Sequence, residues 1–324
     1  MAEEGNSFRA ILAALAANLG IALSKFVAYL FTGSSSLLAE AVHSVADTAN
    51  QVLLLIGGRR ARQRASQLHP FGYARFRYFY GFLVTLVIFL VGGVFALFEG
   101  YEKLHHPEPV ESPVWAFAVL GVSIALESFS LRTAVREAQT SRRGRSWLRF
   151  IRTTRSPELP VVLAEDFGAL TGLTFALVGI TLAVVTGDGR WDAIGTLAIG
   201  VLLVVISITL SQRMRSLLIG ESADNITLRR IEAAIESEPP IERVIHLRTS
   251  HLGPDQLLIA AKVAVPAEET MARVAKAIDR AEARIRAEVD YECFIFLEPD
   301  VFDQRLFEAA DRPPGSSQKP GGTD

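Results

Sequence analysis

Cysteine is almost missing from the chain: Cys293 is the one thiol in 324 residues. An intrachain disulfide is thereby excluded, and so is a zinc centre built from several thiolates. A uniform positive charge is missing too. Lys and Arg number 33 against 35 Asp and Glu, for a formal net charge of −2. That is not the composition of a nucleic-acid binder, and no nucleic-acid partner is expected. The N-terminus lacks the short charged, apolar and small-residue succession of a cleaved signal peptide. Its first apolar stretch is too long for one and reads as a membrane span.

What is present is apolar and unevenly spread. Half of the residues are hydrophobic, and the mean hydropathy is +0.28. The apolar residues collect in long runs as far as about residue 218 and thin out afterwards. A hydrocarbon core of about 30 Å needs roughly 20 apolar residues in a helix. Six segments meet this: Phe8–Phe31, Leu37–Ile56, Phe79–Phe98, Val114–Leu131, Leu159–Val185 and Ile194–Leu210. The second and fifth are interrupted by polar residues.

Arginine placement gives an orientation. Six arginines lie between Arg59 and Arg77 and eight between Arg132 and Arg155, while Arg213 and Arg215 follow the sixth segment. The alternate connections hold only Lys103 and Arg190. Positive charge accumulates on the cytoplasmic side of membrane proteins, so both termini are expected in the cytoplasm. An even number of spans is required for that, and six fits. A bacterial inner (cell) membrane is the expected location, because no transit peptide is apparent.

Beyond Gly220 the pattern changes. Between Glu221 and Asp300 there are 16 acidic and 10 basic residues. Ile226–Ser237 and Thr270–Glu288 have helical periodicity. Val244–Thr249, Gln256–Val265 and Glu292–Leu297 read as strands, the first two separated by the turn sequence His251-Leu-Gly-Pro254. The expected architecture is therefore an α-helical membrane protein with six transmembrane helices (residues 1–219), followed by a small α+β domain of order αββαβ (220–302). A disordered tail (303–324) completes it.

Ionisable groups inside apolar segments carry the functional signal. A carboxylate at the centre of a span costs about 2.5–3.5 kcal/mol on insertion scales. The second segment nevertheless reads Glu40-Ala-Val-His43-Ser-Val-Ala-Asp47-Thr-Ala-Asn50. His43 and Asp47 are four apart, so one helical face presents both, with Glu40 near it. The fifth segment carries Glu165 and Asp166, about 100° apart on a helix, so that both can flank one cavity. One imidazole with several carboxylates suits zinc, manganese or iron(II). Gly168, Ala169 and Gly172 would let the two helices approach closely. A buried hydrogen-bonded network without metal, or a proton pathway, would also explain these residues. Lys25 is explained by snorkelling or by a bond to a neighbouring helix. Glu127 is explained by helix pairing or by a place in the pathway, and Asp192 by its position at a helix N-terminus.

Ser34-Ser-Ser-Leu-Leu-Ala-Glu-Ala-Val-His43-Ser-Val-Ala-Asp47-Thr-Ala-Asn50 resembles the second span of the cation diffusion facilitators. His69-Pro-Phe-Gly-Tyr73-Ala-Arg75 resembles the loop motif that follows it. Leu218-Ile-Gly-Glu221-Ser-Ala-Asp224, His246-Leu-Arg-Thr and Gly253-Pro254 resemble the start and first strands of the family's cytoplasmic domain. Within the family, the Glu165-Asp166 pair is most similar to the zinc transporter 9 branch. The resemblance implies a homodimer of six-span protomers with ferredoxin-like cytoplasmic domains. It also implies metal–proton exchange by alternating access through the lipid bilayer. No cofactor is implied, because the divalent metal, zinc first, is cargo. The family's metal ligands carry over onto His43, Asp47 and Asp166. Val162 stands where the family often has His or Asp, so that Glu165, Glu40 or water would complete the set. Tyr73 replaces a ligand histidine found in many relatives. His246 matches a cytoplasmic metal position, but Ala261 and Phe296 occupy other ligand places.

Exporting a divalent cation by metal/proton antiport is therefore the leading expectation. Transport of manganese or iron(II), or a metal-sensing membrane scaffold without transport, stay open as alternatives. An intramembrane enzyme using His43 and Asp47 as an acid–base pair finds no supporting HExxH motif or nucleophile elbow, so the chain is not expected to be an enzyme.

Overall fold

The computed structural model describes residues 19–301 except 143, 145, 148, 149 and 151–153. The expected beginning of the first span at Phe8, Arg143, Arg145, Arg149 and Arg152, and the tail 303–324 lie outside the described residues. The chain divides into two compact units, Met1–Ile219 and Gly220–Asp324.

Among the described residues, the regular elements of unit one are all helices. Its elements are α1 (Leu19–Thr32), α2 (Ser35–Ala61), α3 (Phe76–His105), α4 (Pro113–Arg142), α5 (Glu158–Thr186) and α6 (Arg190–Ile219). Among the described residues, four helices are long and apolar enough to cross a membrane: Phe76–His105, Pro113–Arg136, Glu158–Thr186 and Arg190–Ile219. This unit is a helical membrane domain. α2 is 27 residues long, and Glu40, His43, Asp47, Asn50, Arg59 and Arg60 dilute its apolar content.

α1 and α2 are separated by two residues only. Gly33 takes a left-handed conformation (φ 61), and its N–H donates to Tyr29 O at 2.8 Å, closing α1 with a C-terminal cap that favours glycine. Ser34 then caps α2 by accepting from Leu37 N–H. Asp192, in the first turn of α6, is fully buried and binds this junction. It accepts from Ser34 Oγ at 2.9 Å, Ser35 N at 2.8 Å and Ser35 Oγ at 3.2 Å. Position at the start of its own helix is therefore not the whole account of Asp192. Its carboxylate also serves the positive N-terminus of α2. Replacing Asp192 by alanine removes the acceptor of Ser34 Oγ and Ser35 N, while Ser35 Oγ keeps Thr196 Oγ1 at 2.9 Å, and each buried unpaired group costs about 1–3 kcal/mol. The D192A protein is expected to melt several degrees lower in detergent, whereas an unchanged melting temperature would refute this clamp.

α3 and α6 meet through glycine. A Cβ built on Gly93 would lie 2.8 Å from Val204 Cγ2, one on Gly100 2.9 Å from Leu197 Cγ, and one on Gly200 2.8 Å from Leu97 Cγ. Small residues are what allow helix backbones to approach this closely. Between Ile88 and Val94, α3 is wound as a π-helix. Such segments concentrate at functional sites, and here an ideal Cβ on Gly92 would lie 3.0 Å from Leu203 Cδ1 and 3.8 Å from His43 Nδ1.

Unit two has the order αββαβ: α7 (Asn225–Glu236), β1 (Arg243–Gly253), β2 (Gln256–Ala264), α8 (Met271–Glu288) and β3 (Glu292–Asp300). Asp224 caps α7 by accepting from Ile226 N and Thr227 N. The sheet order is β1-β2-β3, with β1 antiparallel and β3 parallel to β2. Alternate β2 residues Leu257, Ile259, Ala261 and Val263 are buried against Ile231 and Ile235 of α7 and Ala277, Ala281 and Ile285 of α8. Both helices thus cover one face of the sheet, as period-two alternation dictates.

Glu238, just beyond α7, is gripped by two arginines of α8. Arg280 Nε lies 2.8 Å from Oε2, and Arg284 Nη2 lies 2.7 Å from Oε1. The Arg280 hydrogen bond, aided by both guanidinium charges, holds the Glu238 carboxyl below its ordinary value. A depressed carboxylate contributes stability above its unfolded pKa and loses it as the pH falls through the folded one. Acidification below about pH 4 should therefore accelerate amide exchange along α8, and Glu238→Gln should abolish that component. Identical exchange profiles for the two proteins across this range would count against the clamp.

Candidate metal centre

The polar residues of α2 repeat at intervals of three and four. One face of the helix therefore carries Glu40, His43, Ser44, Asp47 and Asn50. His43 is buried (1% exposed), and its Nε2 lies 3.5 Å from Asp47 Oδ2. Among the described residues, neither His43 nitrogen, nor Asp47 Oδ1, has a hydrogen-bond partner. Orphaned polar atoms in an apolar bundle are costly and call for an explanation.

A cavity of about 200 Å³ opens between α1, α2, α4 and α5. Four carboxylates reach its wall: Asp47 from α2, Glu127 from α4, and Glu165 and Asp166 from α5. Two are held by neutral donors. Asn50 Nδ2 donates to Glu165 Oε1 at 2.7 Å, and Ser130 Oγ donates to Asp166 Oδ2 at 3.2 Å. Val162, one turn before Asp166, is also on the wall.

The sequence-expected residues are thus arranged unequally. Asp47, Glu165 and Asp166 share the cavity, whereas His43 does not line it and touches it through Asp47. Among the described residues, no three His, Cys, Asp or Glu side chains converge closely enough to hold a metal ion. The glycines of α5 are also divided in their roles. Gly172 faces Glu40 of α2, whereas Gly168 faces Ile206 of α6.

Asn50 and Ser130 were not singled out from sequence. Asn50 could have been, since it lies three residues after Asp47 and seven after His43 on the same face. Ser130 carries no such signal, because only the packing of α4 on α5 brings it to Asp166. In unit two, His246 lies opposite Lys262, Ala261 opposite Leu247 and Phe296 opposite Ala260. His251 is buried with its ring edge-on to Tyr291, centroids 5.2 Å apart.

Two family models match the chain. Residues 11–219 match the family model of the cation efflux transmembrane domain, and residues 223–300 that of the cation efflux protein cytoplasmic domain. The human mitochondrial proton-coupled zinc antiporter SLC30A9 is 30% identical over 290 residues, 88% of this chain and 46% of the relative. Metal tolerance protein C4 of Arabidopsis thaliana is 28% identical over 260 residues, 80% of this chain and 57% of the relative. The cation-efflux pump FieF of Serratia proteamaculans is 27% identical over 250 residues, 77% of this chain and 78% of the pump. The chain spans about half the length of the SLC30A9 relative.

Proposed function

The chain belongs to the cation efflux family, also called the cation diffusion facilitators, and from that premise we propose that it is a secondary transporter exporting a divalent metal cation, zinc before others, in exchange for protons. The observation that carries the reading is the set of four carboxylates around one cavity, with an orphaned imidazole behind Asp47. Burying them in lipid is expensive, and a pathway for a divalent cation gives them a purpose. The printed names of the relatives, a proton-coupled zinc antiporter and a cation-efflux pump, support the same reading.

In this reading His43, Asp47 and Asp166 ligate the ion, and Glu165 completes the set in place of the apolar Val162. Asn50 and Ser130 orient the α5 carboxylates until the metal takes them. α1 to α6 are six spans, with the arginine-rich connections and both termini in the cytoplasm of a bacterial cell, below its inner membrane. The second unit is a ferredoxin-like cytoplasmic domain through which two protomers form a homodimer. Metal and protons compete for the same atoms. An imidazole binds metal only when neutral and a carboxylate only when ionised, so a site emptied of metal refills with protons before it returns.

The oxygen-rich set also admits manganese and iron(II). A competition experiment ranks them. Zinc uptake by proteoliposomes should be inhibited more strongly by excess unlabelled zinc than by equal manganese, iron(II) or cadmium. Uptake of none of the four would leave a metal-sensing scaffold instead of a transporter.

A further inference from the structure

Directly behind the metal centre lies an ion pair that the transport reading does not use. Lys25 of α1 and Glu40 of α2 are both fully buried, with Nζ 3.1 Å from Oε2. The ammonium donates a second bond, 2.9 Å, to Ser44 Oγ. Ser44 itself lines the cavity beside Asp47. Lys25 is therefore one hydrogen bond from the cavity wall. The other carboxylate oxygen, Glu40 Oε1, has no hydrogen-bond partner among the described residues. It is pressed against α5, where a Cβ on Gly172 would come within 2.5 Å of it.

We propose that Lys25 and Glu40 form a charge-balanced pair that sets the metal affinity of the cavity, each member cancelling the other's field at the ion. The inference rests on the transport reading above. Snorkelling does not account for Lys25, because its ammonium ends on Glu40 and Ser44 inside the bundle. In a buried region charges act over longer distances than in water. A lone ammonium at this place would repel a divalent cation, and a lone carboxylate would attract it. Together they leave the affinity low enough for the ion to depart, whichever of the two holds the proton. The pair acts through the field and does not touch the cargo, so Lys25 and Glu40 are affinity-setting residues and not ligands.

Zinc binding to the full-length protein in detergent, measured by calorimetry, tests this with three variants. Lys25→Gln and Glu40→Gln are chosen because an amide retains hydrogen-bonding capacity while the charge is lost. Lys25→Gln should bind zinc at least about tenfold more tightly than wild type, and Glu40→Gln at least about tenfold more weakly. The double variant should return to within about threefold of wild type, because the two opposed shifts cancel when both charges are gone. Shifts of the same sign in the two single variants would overturn the proposal. Where a single variant fails to fold, the neutral double variant still decides: a change of tenfold or more in its affinity overturns the balance. Zinc binding by wild type with no opposed shifts defeats this inference alone. Absence of binding by wild type defeats the transport reading and this inference with it.

Discussion

Asp47→Ala and His43→Ala are each expected to reduce metal flux to the level of empty vesicles, while both proteins insert and Asp47→Ala melts no lower than wild type. Asp47 joins the orphaned imidazole to the cavity, so its loss removes a ligand and strands His43. Removing a carboxylate from the bundle also removes its desolvation cost, which is why stability should not fall. The neighbouring Asn50 should give an intermediate result. It holds Glu165 at 2.7 Å, and loss of a group that orients a ligand typically costs 10–100-fold in metal affinity. Asn50→Ala should therefore weaken zinc binding within that range without abolishing transport at saturating zinc. Normal zinc, manganese and iron(II) flux in both ligand variants would defeat the assignment of the centre.

Acidifying the metal-loading side from about pH 7.5 to 5.5 is expected to suppress flux several-fold. An imposed proton gradient opposing the metal should drive it. Imidazole titrates near pH 6.5 when unperturbed, and protonation of His43 or of any ligating carboxylate removes a lone pair that the metal needs. The sign is fixed by that competition: more protons on the loading side, less metal bound. His43→Gln cannot take up a proton in this range, so a variant that retains residual flux should show a flatter pH profile. A wild-type rate independent of pH over this interval would point to a channel or uniporter.

The physical reason for each success or shortfall of the sequence reading is local. The face shared by His43 and Asp47 follows from helical spacing, and it appears in α2 as a 3.5 Å approach. The order αββαβ was legible because Ile226–Ser237 and Thr270–Glu288 have helical periodicity and the turn sequence His251-Leu-Gly-Pro254 parts two strand-like runs. The strand Arg243–Gly253 extends beyond the expected Val244–Thr249, since the ladder continues through Ser250 and His251 to Gly253 whatever their side chains. What spacing cannot supply is the partner on another helix. Lys25 looks like a residue seeking the interface, until α1 packs on α2 and buries it against Glu40. Asp192 looks like an ordinary first-turn acid, until the α1–α2 junction is folded onto it. The π-helical turn at Ile88–Val94 has no signature beyond the adjacent glycines 92 and 93. Membership of the family was legible in the motifs around His43 and His69, and the family models match both parts of the chain.

The central claim is that one site carries metal in one direction and protons in the other. Proteoliposomes holding a zinc-sensitive and a pH-sensitive dye together test it in a single recording. On addition of external zinc, the interior zinc signal should rise while the interior loses protons, both with the same time course, and both should vanish with Asp47→Ala. Zinc entry with no accompanying proton movement would contradict the account.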